Sequence, residues 1–152
     1  MISVGRHRLA ATVFGEGTPT VVIEPSFGGA ADDWEKIART LAEQTTVVTY
    51  DRAPYDAPPA LPPGGLGDRP LVVLTCAPGD PAVPGRVYEA WRELQMDLAR
   101  LSANSRHVLS DSSDHHLNLG DPDLVTAAIR DVVRCARSGA LLAEVVAVSE
   151  AE

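Results

Sequence analysis

Three short apolar runs set the limits on what this chain can fold into: TVVIE at 20–24, TTVVTY at 45–50 and LVVLTC at 71–76. A strand with one wet face alternates apolar and polar residues, whereas a strand buried on both faces reads as an unbroken, β-branched run. Amphipathic stretches separate the runs. Trp34, Ile37, Ala38 and Leu41 fall on one helical stripe that Asp32 or Asp33 can cap. Strand, helix, strand within one sheet means a parallel pair with a right-handed crossover. A second helix is predicted from about Arg86 to Leu101, with Val87, Trp91, Leu94, Leu98 and Leu101 on one face, followed by a fourth strand, RHVLS at 106–110. Asp121-Pro122 opens a last helix, Pro being suited to the first helical position, with Leu124, Val125, Ala128, Ile129, Val132 and Val133 as its apolar stripe. Residues 2–14 alternate loosely and predict one or two edge strands ending at the GEGTP turn. The expected fold class is α/β, a mostly parallel sheet with helices on both faces.

A chain of 152 residues suits a single domain, 1–152. Within it, residues 53–70 hold six prolines and three glycines and read as an irregular connection, functional or mobile, while 138–152 is an apolar tail that extends the last helix or pairs as a strand. A formal charge of −8 with scattered arginines argues against a nucleic-acid partner. No run reaches the ~18 apolar residues of a membrane span, and MISVGRHRLAATVF lacks the apolar core of a signal peptide, which points to a cytoplasmic chain without a membrane partner. Cys76 and Cys135 read as reduced, buried thiols instead of a disulfide or a metal pair. No metal and no cofactor is expected.

In an open α/β sheet, ligands sit outside the carboxyl ends of the strands. The loops to search are therefore Pro25-Ser26-Phe27-Gly28-Gly29, Asp51-Arg52, Pro78-Gly79-Asp80 and Asp111 to His116. On one rim they would gather a carboxylate, an imidazole and a glycine turn with free backbone N–H groups. Each residue also has a purely structural use. Ser26 can bond its own turn, Asp80 suits a Pro-Gly-Asp-Pro turn, His116 suits a surface or packing position, and Asp51-Arg52 reads as a structural pair. Gly64-Gly65-x-Gly67 precedes a strand instead of opening a helix, so it is a flexible linker and not a phosphate loop.

The stretches VVIEPSFGGAADDW, VVTYDRAPY and SDHHLNLGDPDLVTAAIRDVV resemble the α/β-hydrolase superfamily in its single-domain esterase and lyase-like branches, over about residues 1–55 and 70–136. The resemblance implies an oxyanion turn after the first buried strand, with Phe27, Gly28 and Gly29 binding substrate through that turn. It also implies an acid at Asp80 and a base at His115, where Asp114 stands in the place of the usual glycine of Ser-Gly-His. The departure is as informative. The family's nucleophile lies on a G-x-S-x-G elbow, and no such motif occurs in this chain. The chain reads as a truncated form in which elbow and lid are missing between about residues 55 and 70. Ser26 is the nucleophile candidate on the right rim; Cys76 is the other, disfavoured because strand burial leaves a thiol inert.

A histidine oriented by a carboxylate does acid–base work without a serine. The expected function is an enzyme in which His115 and Asp80 act on a small apolar carbonyl compound, by ester or lactone hydrolysis, isomerisation, lyase or cyclase chemistry. The alternative is a non-catalytic, degenerate hydrolase kept as a binding or self-association module, with a homodimer covering the surface that lost strands would expose.

Overall fold

The computed structural model describes residues 2–4, 7–24, 30–51, 62–78, 84–112 and 114–144, with backbone alone for 2–4 and 7–9. The chain has an α/β fold and divides into two compact units, Met1–Pro58 and Pro59–Glu152. Each is described by itself.

In the first unit, β1 (Ile2–Val4) and β2 (His7–Leu9) pair antiparallel. A three-stranded sheet follows, built from β3 (Ala11–Phe14), β4 (Val21–Ile23) and β5 (Val47–Tyr50) in the order β3-β5-β4. β5 is central, parallel to β4 and antiparallel to β3. Between β4 and β5 run a 3-10 turn, Ala31–Trp34, and α1, Glu35–Leu41. The expected stripe is realised here: Ile37, Ala38 and Leu41 are buried and α1 packs on β5. The expected cap is not. Ala30 occupies the cap position, and Asp33 reaches back so that its Oδ2 accepts the Ala30 N–H at 2.9 Å. Gly15 lets β3 end close to the α1–β5 turn; with φ at +64°, a β-carbon there would lie 2.3 Å from the Ala42 carbonyl oxygen.

The register places Thr12, Thr49 and Ile23 in one row and Val13, Val48 and Val22 in the next, on the opposite face. Thr49 and Ile23 are buried, whereas Val13 is 60% and Val22 61% exposed. The run TVVIE is therefore not a strand buried on both faces. Among the described residues β4 is an edge strand with one neighbour, and in the valine row Val13 and Val22 are exposed with Val48 half-buried between them.

In the second unit, β6 (Leu71–Thr75) and β7 (Ser105–Leu109) pair parallel, with Leu71 opposite Ser105 and Thr75 opposite Leu109. α2 (Gly85–Ala99) packs on both strands and α4 (Pro122–Ser138) on β6, while α3 (Leu117–Gly120) is a single turn between β7 and α4. α4 follows the predicted pattern, with Val125, Ala128 and Val133 buried and Leu124, Ile129 and Val132 half-buried. Asp131 on α4 accepts a bond from Arg106 Nη2 on β7 at 2.8 Å. The helix ends where Gly139 takes a left-handed φ of 72° and donates to the Cys135 carbonyl at 2.8 Å, the geometry glycine favours after a helix. The described tail neither extends α4 nor joins a sheet. Leu142 is buried, and its N–H donates to Asn104 Oδ1 at 3.0 Å.

α2 departs from expectation in a systematic way. Val87 and Leu94 are 50% and 63% exposed and Leu98 is also exposed, while Tyr88, Trp91, Gln95 and Ala99 are the half-buried residues. The stripe facing β6 and β7 is thus 88/91/95/99, turned by about one residue from 87/91/94/98, since neighbouring residues lie ~100° apart on a helix. The Tyr88 hydroxyl fixes this rotation by donating to the Cys76 carbonyl at 2.9 Å.

The described part of the Pro-rich connection is also not a free linker. Gly64 donates to the Arg100 carbonyl at 2.9 Å, Leu66 to the Leu101 carbonyl at 2.9 Å, and Ala103 to the Gly67 carbonyl at 2.7 Å. These bonds lash residues 64–67 to the turn between α2 and β7, and satisfied backbone groups are what order such a segment.

Candidate acid–base site

The chain leaves β7 at Leu109 and enters a loop in which alternate residues carry short polar side chains. Each accepts a backbone N–H two residues on: Ser110 Oγ from Ser112 at 3.0 Å, Ser112 Oγ from Asp114 at 3.2 Å, and Asp114 Oδ1 from His116 at 2.8 Å. Serine and aspartate favour these local turns because their side chains reach that distance and no further. Three in succession pin the loop from 110 to 116.

Bonds from elsewhere in the unit hold this ladder in place. Ser110 donates its N–H to the Thr75 carbonyl and Ala77 donates to the Ser112 carbonyl, both at 2.8 Å, so the β6–β7 pairing continues past both strand ends. Ser110 Oγ donates to Asp121 Oδ2 at 2.7 Å, and Asp121 Oδ1 accepts the Leu124 N–H at 3.3 Å. One carboxylate therefore clasps the start of the loop and caps α4. Gly120 permits the close approach: a β-carbon there would lie 2.5 Å from Asp114 Cβ and 2.8 Å from Ser112 Oγ.

His115 and His116 sit at the end of this ladder, both exposed. Their rings meet edge to face, with centroids 5.6 Å apart and planes at 82°. His116 Nδ1 lies 3.8 Å from Asp114 Oδ1, so Asp114 is the carboxylate beside an imidazole here, and its partner is His116 instead of His115. The third described imidazole, His107, is embedded in the sheet, with Nε2 2.8 Å from the hydroxyl of the fully buried Thr75.

Asp80 lies outside the described residues, as do Ser26, Phe27, Gly28, Gly29 and Arg52. Asp51 is described, and its Oδ1 accepts the N–H of Ala31 at 3.0 Å, so it caps the 3-10 turn. Cys76 and Cys135 are free and buried, as their apolar settings predict. Burial pushes the Cys135 thiol above its ordinary value of 9.0, and the Asp131 carboxylate adds to the rise. Among the described residues no group of three or more His, Cys, Asp or Glu side chains has the arrangement of a metal site, and no helix is long and apolar enough to cross a membrane.

The sequence reading named His115 and, as the opener of the last helix, Asp121; it did not single out Ser110, Ser112 and Gly120, nor the bond from Ser110 to Asp121, which hold the loop. The alternation Ser110-x-Ser112-x-Asp114 was the available signal, because each type is a known turn former at that spacing.

No family model matches the chain, and no solved structure matches it. An AB hydrolase superfamily protein of Gibberella zeae is 37% identical over 46 residues, which are 30% of this chain. The match covers 14% of that relative's own length. What the comparison supports is a short, partial similarity to the α/β-hydrolase superfamily, on a chain with an α/β fold.

Proposed function

We propose that this chain is an α/β-hydrolase-like acid–base enzyme acting on a small apolar carbonyl compound. The observation that carries the reading is the loop 110–116, which is bonded at every second residue and presents the exposed imidazole of His115. A proton-transfer group works best when its position is set in advance, and a placed base contributes about 100- to 10,000-fold. In this reading Asp80 orients the His115 ring and stabilises the imidazolium. The amides of Phe27 and Gly28 receive the charge that develops on the carbonyl oxygen, with Gly29 completing the turn. Ser26 is the hydroxyl available for a covalent step. The compatible chemistry is ester or lactone hydrolysis, isomerisation, or lyase and cyclase reactions, without a cofactor. We place the enzyme in the cytoplasm, with a small molecule as its partner.

The test is turnover of a panel of short-chain esters, lactones and enolisable ketones by the full chain, by His115→Ala and by His116→Ala. Loss of at least about 100-fold in His115→Ala is expected; equal turnover in His115→Ala and wild type sinks the assignment, and loss confined to His116→Ala transfers it to the Asp114–His116 pair.

A second reading is favoured by the exposed Val13 and Val22, with half-buried Val48 between them in one row, and in the other unit by the exposed Val87, Leu94 and Leu98 on α2. Contiguous exposed apolar faces usually mark contact with another protein. In that reading the chain is a degenerate hydrolase kept as a self-associating module, a homodimer at least. Sedimentation as a clean monomer at micromolar concentration ends it.

A further inference from the structure

We infer that the outward face of α2 is a contact between two copies of this chain, paired antiparallel about a two-fold axis with Arg86 of each copy beside Asp97 of the other. The inference rests on the self-association reading for one point alone, that the chain pairs with itself, and it holds whether or not the loop 110–116 is catalytic.

α2 carries two stripes, and its own unit uses one of them. Tyr88, Trp91, Gln95 and Ala99 are the half-buried residues facing β6 and β7, and the Tyr88 hydroxyl is fastened to the Cys76 carbonyl at 2.9 Å. Val87, Leu94 and Leu98 are left outward and exposed. At ~100° per residue these three fall within about 40° of one another around the helix, so they form one ridge. A ridge on a helix already anchored by its other side needs no rearrangement to bind, which removes an ordering cost from association.

The charge beside the ridge identifies what fits it. On the flank away from the buried stripe stand Arg86, Ala90, Glu93 and Asp97, all exposed. Positive charge lies at the start of the helix and negative charge toward its end. That order complements itself only when the second helix runs the other way. With the two-fold axis beside Trp91 and Arg92, Arg86 lies level with Asp97 of the second copy, and the same pair recurs across the axis, as a two-fold contact requires. A parallel arrangement would set Arg86 level with Arg86 and Asp97 level with Asp97, which like-charge repulsion opposes.

The ridge packs in the same register. Leu94 meets the hollow between Val87, Ala90 and Trp91 of the second copy, the knob-into-hole fit of paired helices. Leu98 falls level with Gly85, where a β-carbon would meet nothing within 4 Å, so the helix start is open to it. Asp97 Oδ1 already lies 2.8 Å from Arg100 Nη1, and a carboxylate accepts more than one such donor. The 15 residues of α2 make a contact about 22 Å long, a short one, which sets the dimer in the micromolar range.

The test is sedimentation equilibrium of the full chain from nanomolar to high micromolar concentration, for wild type, Leu94→Glu, Arg86→Glu, Asp97→Lys and Val22→Glu, each checked for its fold by circular dichroism. Wild type is expected to form a dimer and nothing larger, since a two-fold contact closes at two. Leu94→Glu is expected to weaken it at least about 100-fold, and Val22→Glu, in the other unit, to leave it within about threefold. Arg86→Glu and Asp97→Lys are each expected to weaken it about tenfold. An equal mixture of these two variants is expected to associate as wild type does, because each supplies the charge the other has lost. A wild-type chain that stays monomeric overturns the inference together with the self-association reading. A dimer that Leu94→Glu leaves intact, or that Val22→Glu dissolves instead, overturns the inference and spares that reading. A mixture that associates no better than either variant alone overturns the antiparallel pairing, and this arm decides by itself should Leu94→Glu fail to fold.

Discussion

Gly120 and Asp114 stand so close that a β-carbon on the glycine would lie 2.5 Å from the aspartate's own Cβ. The contact joins the turn before α4 to the loop that carries His115. Gly120→Ala must therefore push that loop away. Overpacking of this kind costs about 1–3 kcal/mol, and the expected result is a lower midpoint in urea together with shifted His115 and His116 ring resonances. Unchanged ring resonances would show that the loop is not held by this contact.

Ser110 is buried and bonds in three directions, through its N–H, as donor to Asp121, and as acceptor from Ser112. Ser110→Ala keeps the first bond and loses the other two. Leaving buried groups unpaired costs about 1–3 kcal/mol. The loss is read from urea unfolding, and Asp121→Ala on the Ser110→Ala background should cost less than Asp121→Ala alone, because the two side chains share one bond.

On α2 and α1 the structure predicts opposite outcomes for similar residues. In the dilute monomer Leu94→Gln removes an exposed side chain and should move stability by no more than about 0.5 kcal/mol. Leu41→Ala empties a fully buried site and should cost about 2–5 kcal/mol. A large loss in Leu94→Gln would mean that the 87/94/98 face is covered in solution, which is also the outcome the self-association reading requires.

The Cys135 thiol carries a pH dependence of known sign. Its folded value lies above the ordinary 9.0, first because of burial and then because of Asp131. Its contribution is fully present below the unfolded value and is lost as pH rises through the folded one, because unfolding then releases a proton. Stability should therefore fall as pH is raised above about 9, and Cys135→Ala should flatten that fall. Alkylation of the native chain at pH 8 should leave Cys135 unmodified, since a buried neutral thiol is a poor nucleophile.

Local patterns were read well where the deciding interactions are local. The α1 stripe of Ile37, Ala38 and Leu41 and the α4 start at Asp121-Pro122 follow from periodicity and capping, and both are present. The rotation of α2 was not readable, because 87/91/94/98 and 88/91/95/99 are both acceptable helical stripes. The bond from Tyr88 to the Cys76 carbonyl, which selects between them, joins residues on different elements. TVVIE carries the same ambiguity. Its composition suits burial on both faces, yet burial also requires a neighbour on each side and a cover on each face, and among the described residues β4 has one neighbour and Val22 is 61% exposed.

For the candidate site the division is similar. The sequence by itself determined the alternation of strands and helices, the place of His115 just before a Pro-started helix, and the run of turn-forming side chains from Ser110 to Asp114, since each depends on residues within a few positions of one another. Only the tertiary structure decided that the ladder is fastened to β6 and clasped by Asp121, that Asp114 sits beside His116, and that Asp51 holds Ala31 across 20 positions. The reason is physical: a hydrogen bond between distant residues depends on where the whole backbone places two atoms, and no local propensity contains that distance.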